Sequence, residues 1–191
     1  MKLKETLKQI SPIDPLAQEE CLLRWDSIAK PLHSLGKLED AVTQIGGITR
    51  TPNVNLEKKA LVIMCSDNGV VAEGVTQTGS EVTALVAENF LEENACVSIM
   101  VKQAGAHVYP IDIGMNQDTK VLNKKIAYGT KNILYEPAMT REQAVKSIET
   151  GIQVVLDLKK AGYNIIATGE MGIGNTTTSS AIASVLLDLP V

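Results

Sequence analysis

The sequence predicts an α/β protein, with a mainly parallel sheet of Rossmann-like type and an N-terminal helical lobe ahead of it. Three observations predict this. Ala60-Leu61-Val62-Ile63-Met64-Cys65 and Ile165-Ile166-Ala167-Thr168 are short, continuous apolar runs. That is the pattern of parallel strands covered on both faces, not the alternation of a strand with one wet face. From Ala60 onward such runs alternate with stretches of helical periodicity, the order that builds crossover connections. Before residue 49 only helical spacing is seen. With 191 residues, 45% of them hydrophobic, the chain is long enough for one sizeable core. The expected division is 1–48 for the lobe and 49–191 for the α/β domain.

The elements follow in order. Asp14-Pro15 places a capping acid before a proline at the first helical position. Leu16, Cys21, Leu22, Trp25 and Ile28 continue that helix to Ala29, and Lys30-Pro31 breaks it. Leu35, Leu38, Val42 and Ile45 recur at helical spacing, and Gly46-Gly47 is expected to end this second helix as a C-cap pair. Thr51-Pro52-Asn53 is a loop, residues 60–65 a strand, and Ser66-Asp67-Asn68-Gly69 a turn. Helices are expected over 82–90 and 95–103. A strand over 107–113 follows, although Pro110 inside it is unfavourable for a central strand. A further strand is expected near Ile133-Leu134-Tyr135. Thr140-Arg141-Glu142-Gln143 has the capping-box form. The helix it opens runs to Ala161, where Gly162 stops it. The strand 165–168 then feeds a glycine-rich loop, 169–175, and a helix over 176–187.

Composition excludes several functions. Eighteen Lys and Arg against 22 Asp and Glu give a net charge of −4, which argues against an electrostatic nucleic-acid binder. Four tyrosines, one tryptophan and one phenylalanine offer few platforms for base stacking. No apolar stretch approaches the roughly 20 residues of a membrane span, and Met1-Lys2-Leu3-Lys4-Glu5 has no apolar leader. Cys21, Cys65 and Cys96 stand far apart, which is neither a disulfide framework nor a zinc ribbon, and suits a reducing cytoplasm. His33 and His107 lack metal-ligand spacing, so neither a metal nor a cofactor is expected. Cys65 either faces a site beside Asp67 or is a buried, inert thiol.

The segment most informative about chemistry is Gly169-Glu170-Met171-Gly172-Ile173-Gly174-Asn175-Thr176-Thr177-Thr178. Glycines let backbone N–H groups approach a ligand closely. The start of a helix adds unpaired donors and partial positive charge, which together make an anion site. Asn175 stands where a Walker A loop needs lysine, and the glycines run G-x-x-G-x-G, not G-x-G-x-x-G, so a monophosphate fits better than a nucleoside triphosphate or a dinucleotide. A βα turn that merely needs glycine is the competing reading. It leaves Glu170 unexplained. A second segment, Asp67-Asn68-Gly69 followed by Glu73-Gly74-Val75-Thr76-Gln77-Thr78-Gly79, sits at the carboxyl end of a predicted strand. There Asp67 and Glu73 could hold ribose hydroxyls or position a base, or be an ordinary polar loop.

These segments carry a resemblance. GEMGIGNTTT at 169–178 resembles the signature of the nicotinate-nucleotide–dimethylbenzimidazole phosphoribosyltransferases. Lys30-Pro31-Leu32-His33-Ser34-Leu35-Gly36-Lys37-Leu38-Glu39 resembles that family's K-P-x-G-S-L-G-x-L-E. Asp67-Asn68-Gly69 with Glu73-Gly74-Val75 resembles its D-H-G…E-G-V, and Pro137-Ala138-Met139-Thr140-Arg141-Glu142 its P-A-M-T-R-E. The four motifs are collinear along essentially the whole chain.

The resemblance implies transfer of the phosphoribosyl group of nicotinate mononucleotide to 5,6-dimethylbenzimidazole, giving α-ribazole 5′-phosphate and nicotinate, in the making of cobalamin's lower ligand. It implies a phosphate site of Gly172, Ile173, Gly174, Asn175, Thr176 and Thr177, with Glu170 near the ribose and the reacting nitrogen. Asp67, Glu73, Thr76, Thr78 and Val86 would form the base pocket and hold the ribose. It implies small-molecule substrates, no membrane partner and a homodimer. Family members are nearly twice as long and carry their general-base glutamate in the second half. The expected α/β domain is therefore incomplete at its C-terminus, with a complementary C-terminal half as a possible partner. A non-catalytic module that binds the nucleotide or α-ribazole is the alternative. His33 stands for the family's glycine and Asn68 for its histidine. The first affects a turn and the second a pocket contact.

Overall fold

A computed structural model describes residues 2–190. The chain divides between Glu57 and Lys58 into two units. This is later in the sequence than the 48/49 boundary read from the pattern.

The first unit is helical: α1 (Lys2–Gln9), α2 (Pro15–Asp26) and α3 (Lys37–Thr49). Asp14 caps α2 by accepting from the N–H groups of Leu16 and Ala17 at 2.9 and 3.2 Å. The helix ends at Asp26, short of the expected Ala29, where the Ser27 hydroxyl turns back onto the Arg24 carbonyl at 2.7 Å. Gly46 and Gly47 do not cap α3. The helix runs through them and ends at Arg50, whose left-handed backbone closes it. The reason for the glycines is packing. A Cβ on Gly46 would collide with the Cys21 sulfur, and one on Gly47 would lie 2.6 Å from Gln18 Cγ. They let α2 and α3 approach closely. Cys21 is accordingly buried.

The K-P-x-x-S-L-G-x-L-E segment closes on itself. Lys30 Nζ lies 2.9 Å from Glu39 Oε1, and that carboxylate also accepts the Leu35 N–H at 3.0 Å. Hydrogen bonding to Lys30, helped by the Leu35 N–H, outweighs burial and holds the Glu39 carboxyl below its ordinary value. Between them His33 has a φ of +58°, the left-handed region that favours glycine.

The second unit is a parallel four-stranded sheet in the order β3-β2-β1-β4. Its strands are β1 (Lys59–Ser66), β2 (Ala106–Gly114), β3 (Leu122–Asn123) and β4 (Ile165–Met171). α4 (Glu81–Leu91) and α5 (Cys96–Gln103) link β1 to β2, α6 (Arg141–Lys160) leads to β4, and α7 (Asn175–Leu187) leaves it. β1 explains the continuous apolar run. Ile63 and Cys65 pack with Ala84, Ala87 and Phe90 of α4 on one face. The alternate residues Ala60 and Val62 pack with Val154 and Leu158 of α6 on the other. Cys65 is fully buried, which pushes its thiol up to about 12; it is the inert thiol of the two readings.

Pro110 is tolerated because β3 pairs only with Ile111 and Asp112, leaving β2 an edge strand at the proline. The strand expected near 133–135 is instead a turn. The Asn132 side chain accepts the Leu134 N–H at 3.0 Å and its carbonyl accepts the Tyr135 N–H at 3.1 Å, a local bonding pattern that competes with a ladder. The capping box forms as expected: the Thr140 hydroxyl accepts the Gln143 N–H and the Gln143 side chain accepts the Thr140 N–H. Gly162, at φ +86°, stops α6. β4 is longer than the apolar run. Gly169, Glu170 and Met171 pair with Ile63, Met64 and Cys65, so they belong to the strand and not to the loop.

Candidate active site

From β1 the chain moves outward through β2 to β3, then returns to β4 on the opposite flank of β1. The strand order reverses between β1 and β4. Open parallel sheets bind ligands outside the carboxyl ends of their strands at such a point. The segments there are the one leaving Ser66 and the glycine-rich loop leaving Met171, so two of the motifs read from sequence meet at this crevice.

The loop is shaped by two glycines. Gly174 has φ +86°, and a Cβ there would lie 2.8 Å from Val71 Cγ2. At Gly172 a Cβ would collide with the Ser66 carbonyl and come within 3.0 Å of Asn68 Nδ2. Between them, the Ile173 N–H is donated to Thr83 Oγ1 at 3.1 Å and its carbonyl accepts Asn68 Nδ2 at 2.9 Å. Ile173 therefore has no N–H to offer a phosphate. The Asn175 N–H bonds to the Gly172 carbonyl at 3.1 Å. At the start of α7 the Thr176 and Thr177 N–H groups have no intrahelical carbonyl to bond; Thr176 is exposed, whereas Gly174 is buried. The Thr176 hydroxyl lies 3.3 Å from Asn175 Oδ1.

Glu170 is exposed at the end of β4, and its Oε1 accepts Asn175 Nδ2 at 2.5 Å. A carboxylate thus stands beside the N–H cluster, oriented by the residue that replaces the Walker lysine. Electrostatically the two zones are distinct: partial positive charge at the start of α7 and a full negative charge at Glu170.

The other sequence-predicted residues are not gathered around this loop by direct contact. Asp67 is 1% exposed. Its Oδ2 accepts the Asn116 N–H at 2.7 Å and its carbonyl accepts the Thr130 N–H at 3.0 Å, so it ties the exits of β1 and β2 together. Glu73 accepts from Asn132 Nδ2 at 2.6 Å and from the Tyr135 hydroxyl at 3.5 Å. The Thr76 hydroxyl donates to the Thr78 carbonyl at 2.8 Å. Val86 packs against the α4 core cluster. Beside the loop lies a cavity of about 580 Å³ lined by Asn68, Ala138, Met139, Thr178, Ile182 and neighbours. A second, of about 390 Å³, is lined by Ser66, Gly114, Tyr128, Gln143 and others. Neither includes Thr76, Thr78 or Val86. Both share Ala138 and Met139, so the P-A-M-T-R-E turn walls the carboxyl end of the sheet.

Sequence reasoning missed Thr83, a polar residue with no exposure inside the apolar face of α4. A threonine among buried apolar positions is the signal that could have found it. Among the described residues no group of three or more His, Cys, Asp or Glu is placed to hold a metal ion. No helix of the described residues is long and apolar enough to cross a membrane.

Known proteins share this chain's sequence pattern and fold. The family model described as "Phosphoribosyltransferase" matches residues 10–191. A nicotinate-nucleotide–dimethylbenzimidazole phosphoribosyltransferase of Clostridium tetani is 50% identical over 187 residues, covering 96% of this chain and 52% of that relative. The protein of the same name from Clostridium acetobutylicum is 44% identical, covering 100% of this chain and 55% of its own length. The crystal structure of the nicotinate-nucleotide–dimethylbenzimidazole phosphoribosyltransferase of Thermus thermophilus superimposes with a TM-score of 0.87 at 34% identity, covering 93% of this chain and 55% of that one. The chain spans about half the length of the curated relatives it matches.

Proposed function

This chain belongs to the phosphoribosyltransferase family, and we propose that it supplies the phosphate- and ribose-binding half of an enzyme that moves the phosphoribosyl group of nicotinate mononucleotide to 5,6-dimethylbenzimidazole. The observation that carries the reading is the start of α7 at Thr176 and Thr177, with unpaired helix N–H groups, beside Glu170, which Asn175 holds at 2.5 Å, at the reversal point of the sheet. A sugar phosphate fits both zones: its dianion against the N–H groups, its anomeric carbon toward the carboxylate.

The chemistry follows from these groups. The benzimidazole nitrogen attacks C1′ as the bond from C1′ to the pyridinium nitrogen breaks. The bonding pair returns to that nitrogen, so nicotinate leaves with a neutral ring. Positive charge grows on C1′ and the ring oxygen, where Glu170 stabilises it electrostatically. Attack from the opposite face converts the β-riboside to the α-riboside. The N–H proton of the nucleophile passes to a general base. By family resemblance that base lies in the complementary half. Thr176 and Thr177 hold the phosphate at the turn that Gly172 and Gly174 allow, Asn175 orients Glu170, and Asp67 and Glu73 brace the adjoining loops through Asn116 and Asn132.

The partners of this reading are the two small-molecule substrates and a complementary C-terminal half, in a homodimeric assembly. The three unpaired cysteines suit the cytoplasm. Calorimetry with nicotinate mononucleotide and with nicotinate riboside tests the reading. The phosphorylated ligand should bind at least tenfold more tightly. Equal affinities would remove the phosphate site and the reading with it.

A further inference from the structure

Two side chains from different elements converge on one peptide of the loop. Asn68 comes from the β1 exit and Thr83 from α4. Thr83 Oγ1 accepts the Ile173 N–H at 3.1 Å, and Asn68 Nδ2 donates to the Ile173 carbonyl at 2.9 Å. We infer that Asn68 and Thr83 are positioning residues for the phosphate site, clamping Ile173 from two sides so that the loop leading into the first turn of α7 is held in one conformation. This rests on the reading that the loop binds a 5′-phosphate.

The argument is geometric. In a trans peptide the C=O of one residue and the N–H of the next point in opposite directions. Fixing the Ile173 carbonyl on Asn68 therefore directs the Gly174 N–H away from Asn68. Fixing the Ile173 N–H on Thr83 directs the Gly172 carbonyl the other way, where it accepts the Asn175 N–H at 3.1 Å. Two successive peptide planes are set by two side chains from different elements. Glycine at 172 and 174 would otherwise leave this stretch the freest in the loop. Donors held in place before a charged ligand arrives are worth more than donors that must reorganise.

Asn68 is fitted to the task. A Cβ on Gly172 would lie 3.0 Å from its Nδ2, and one on Gly174 would lie 3.5 Å from its Cβ, so both glycines pack against this one side chain. Its amide offers a donor and an acceptor at once. The Thr178 hydroxyl lies 3.4 Å from Oδ1 and 3.1 Å from the Asn175 carbonyl, within reach of either. An aspartate would set an oxygen against the Ile173 carbonyl. Thr83, with no exposure, has a hydroxyl that a purely apolar α4 face would not need.

The test uses Thr83→Val and Asn68→Leu, which keep shape and remove the bonds, and Thr83→Ser, which keeps the hydroxyl. Binding of nicotinate mononucleotide and of nicotinate riboside is measured by calorimetry, and exchange of the Ile173 amide hydrogen is followed without ligand. The expected result is a protected Ile173 amide in the parent chain. Each of the first two variants should lose about tenfold of the preference for the phosphorylated ligand with riboside affinity unchanged, and Thr83→Ser should restore it. Equal losses for both ligands, no rescue by serine, or a fast-exchanging Ile173 amide in the parent chain would overturn the inference. A protected amide in a parent chain with no preference for phosphate would instead sink the functional reading while leaving the clamp standing. Should Thr83→Val not fold, Asn68→Leu and the parent exchange rate decide.

Discussion

Glu170 and Asn175 divide the work of the loop between them. Asn175 takes the position of a phosphate-binding lysine, yet its amide is turned onto Glu170 Oε1. Glu170→Gln should therefore lower turnover of the complete assembly by at least tenfold while leaving mononucleotide affinity within a factor of two, since the charge serves the transition state and not the phosphate. Steady-state kinetics beside calorimetry checks this, and unchanged kcat would remove Glu170 from the ribose. His33 offers a second residue-scale prediction. Its φ of +58° is strained for a side chain with a Cβ, although histidine tolerates it better than most. His33→Gly should raise stability by about 0.5 kcal/mol, the relief of strain being partly offset by a more flexible unfolded chain. Thermal unfolding reads the sign. Residue by residue, chemistry was legible in sequence where a side chain acts on its own neighbourhood, as with the Thr140–Gln143 box. Thr83 was not, because its partner is 90 positions away in the chain and only the fold brings them together.

Elements were legible where periodicity and burial coincide. β1 reads as an apolar run because α4 and α6 cover its two faces. Gly46 and Gly47 read as a stop because glycine ends helices more often than it eases their contact; only the neighbouring helix distinguishes the two. β3 has two residues, too few for any period. The loop element allows a direct test. Gly174→Val puts a β-branched residue at φ +86° with its Cβ 2.8 Å from Val71 Cγ2. It should cost about 1–3 kcal/mol of stability and abolish discrimination between mononucleotide and riboside. Wild-type discrimination in a folded variant would refute the assignment of the loop. The segment joining α2 to α3 allows a test by pH. The Glu39 carboxyl is held below its ordinary value by Lys30. Its contribution is complete above the unfolded-state value and is lost as pH falls through the lower folded-state value. The helical unit should become less stable on acidification in that range, and Glu39→Gln should be less stable at pH 7 but flatter with pH. A parallel pH dependence in the variant would show that the pair contributes nothing.

At the scale of the whole molecule, the sheet and its last helix leave apolar surface uncovered. Among the described residues, β4 has one strand neighbour and α7 has no buried residue. Val185 is 82% exposed and Leu186 78%. Contiguous exposed apolar surface of this kind marks interaction sites, and the chain spans about half the length of the relatives it matches. The complementary half proposed above is the occupant that fits both facts. Val185→Lys with Leu186→Lys should change the chain's own unfolding free energy by no more than about 0.5 kcal/mol each, because neither side chain is packed against this part of the fold. The same pair should abolish association with a polypeptide carrying the second half of the Clostridium tetani relative. The parent chain should form that complex, with a higher Tm on mixing, because binding to the folded state alone stabilises it. Thermal unfolding and size-exclusion chromatography of the four combinations read both effects. Assembly that survives the double substitution would show that the second half covers a different face. A large loss of stability in the isolated double variant would show that α7 is already packed within this chain.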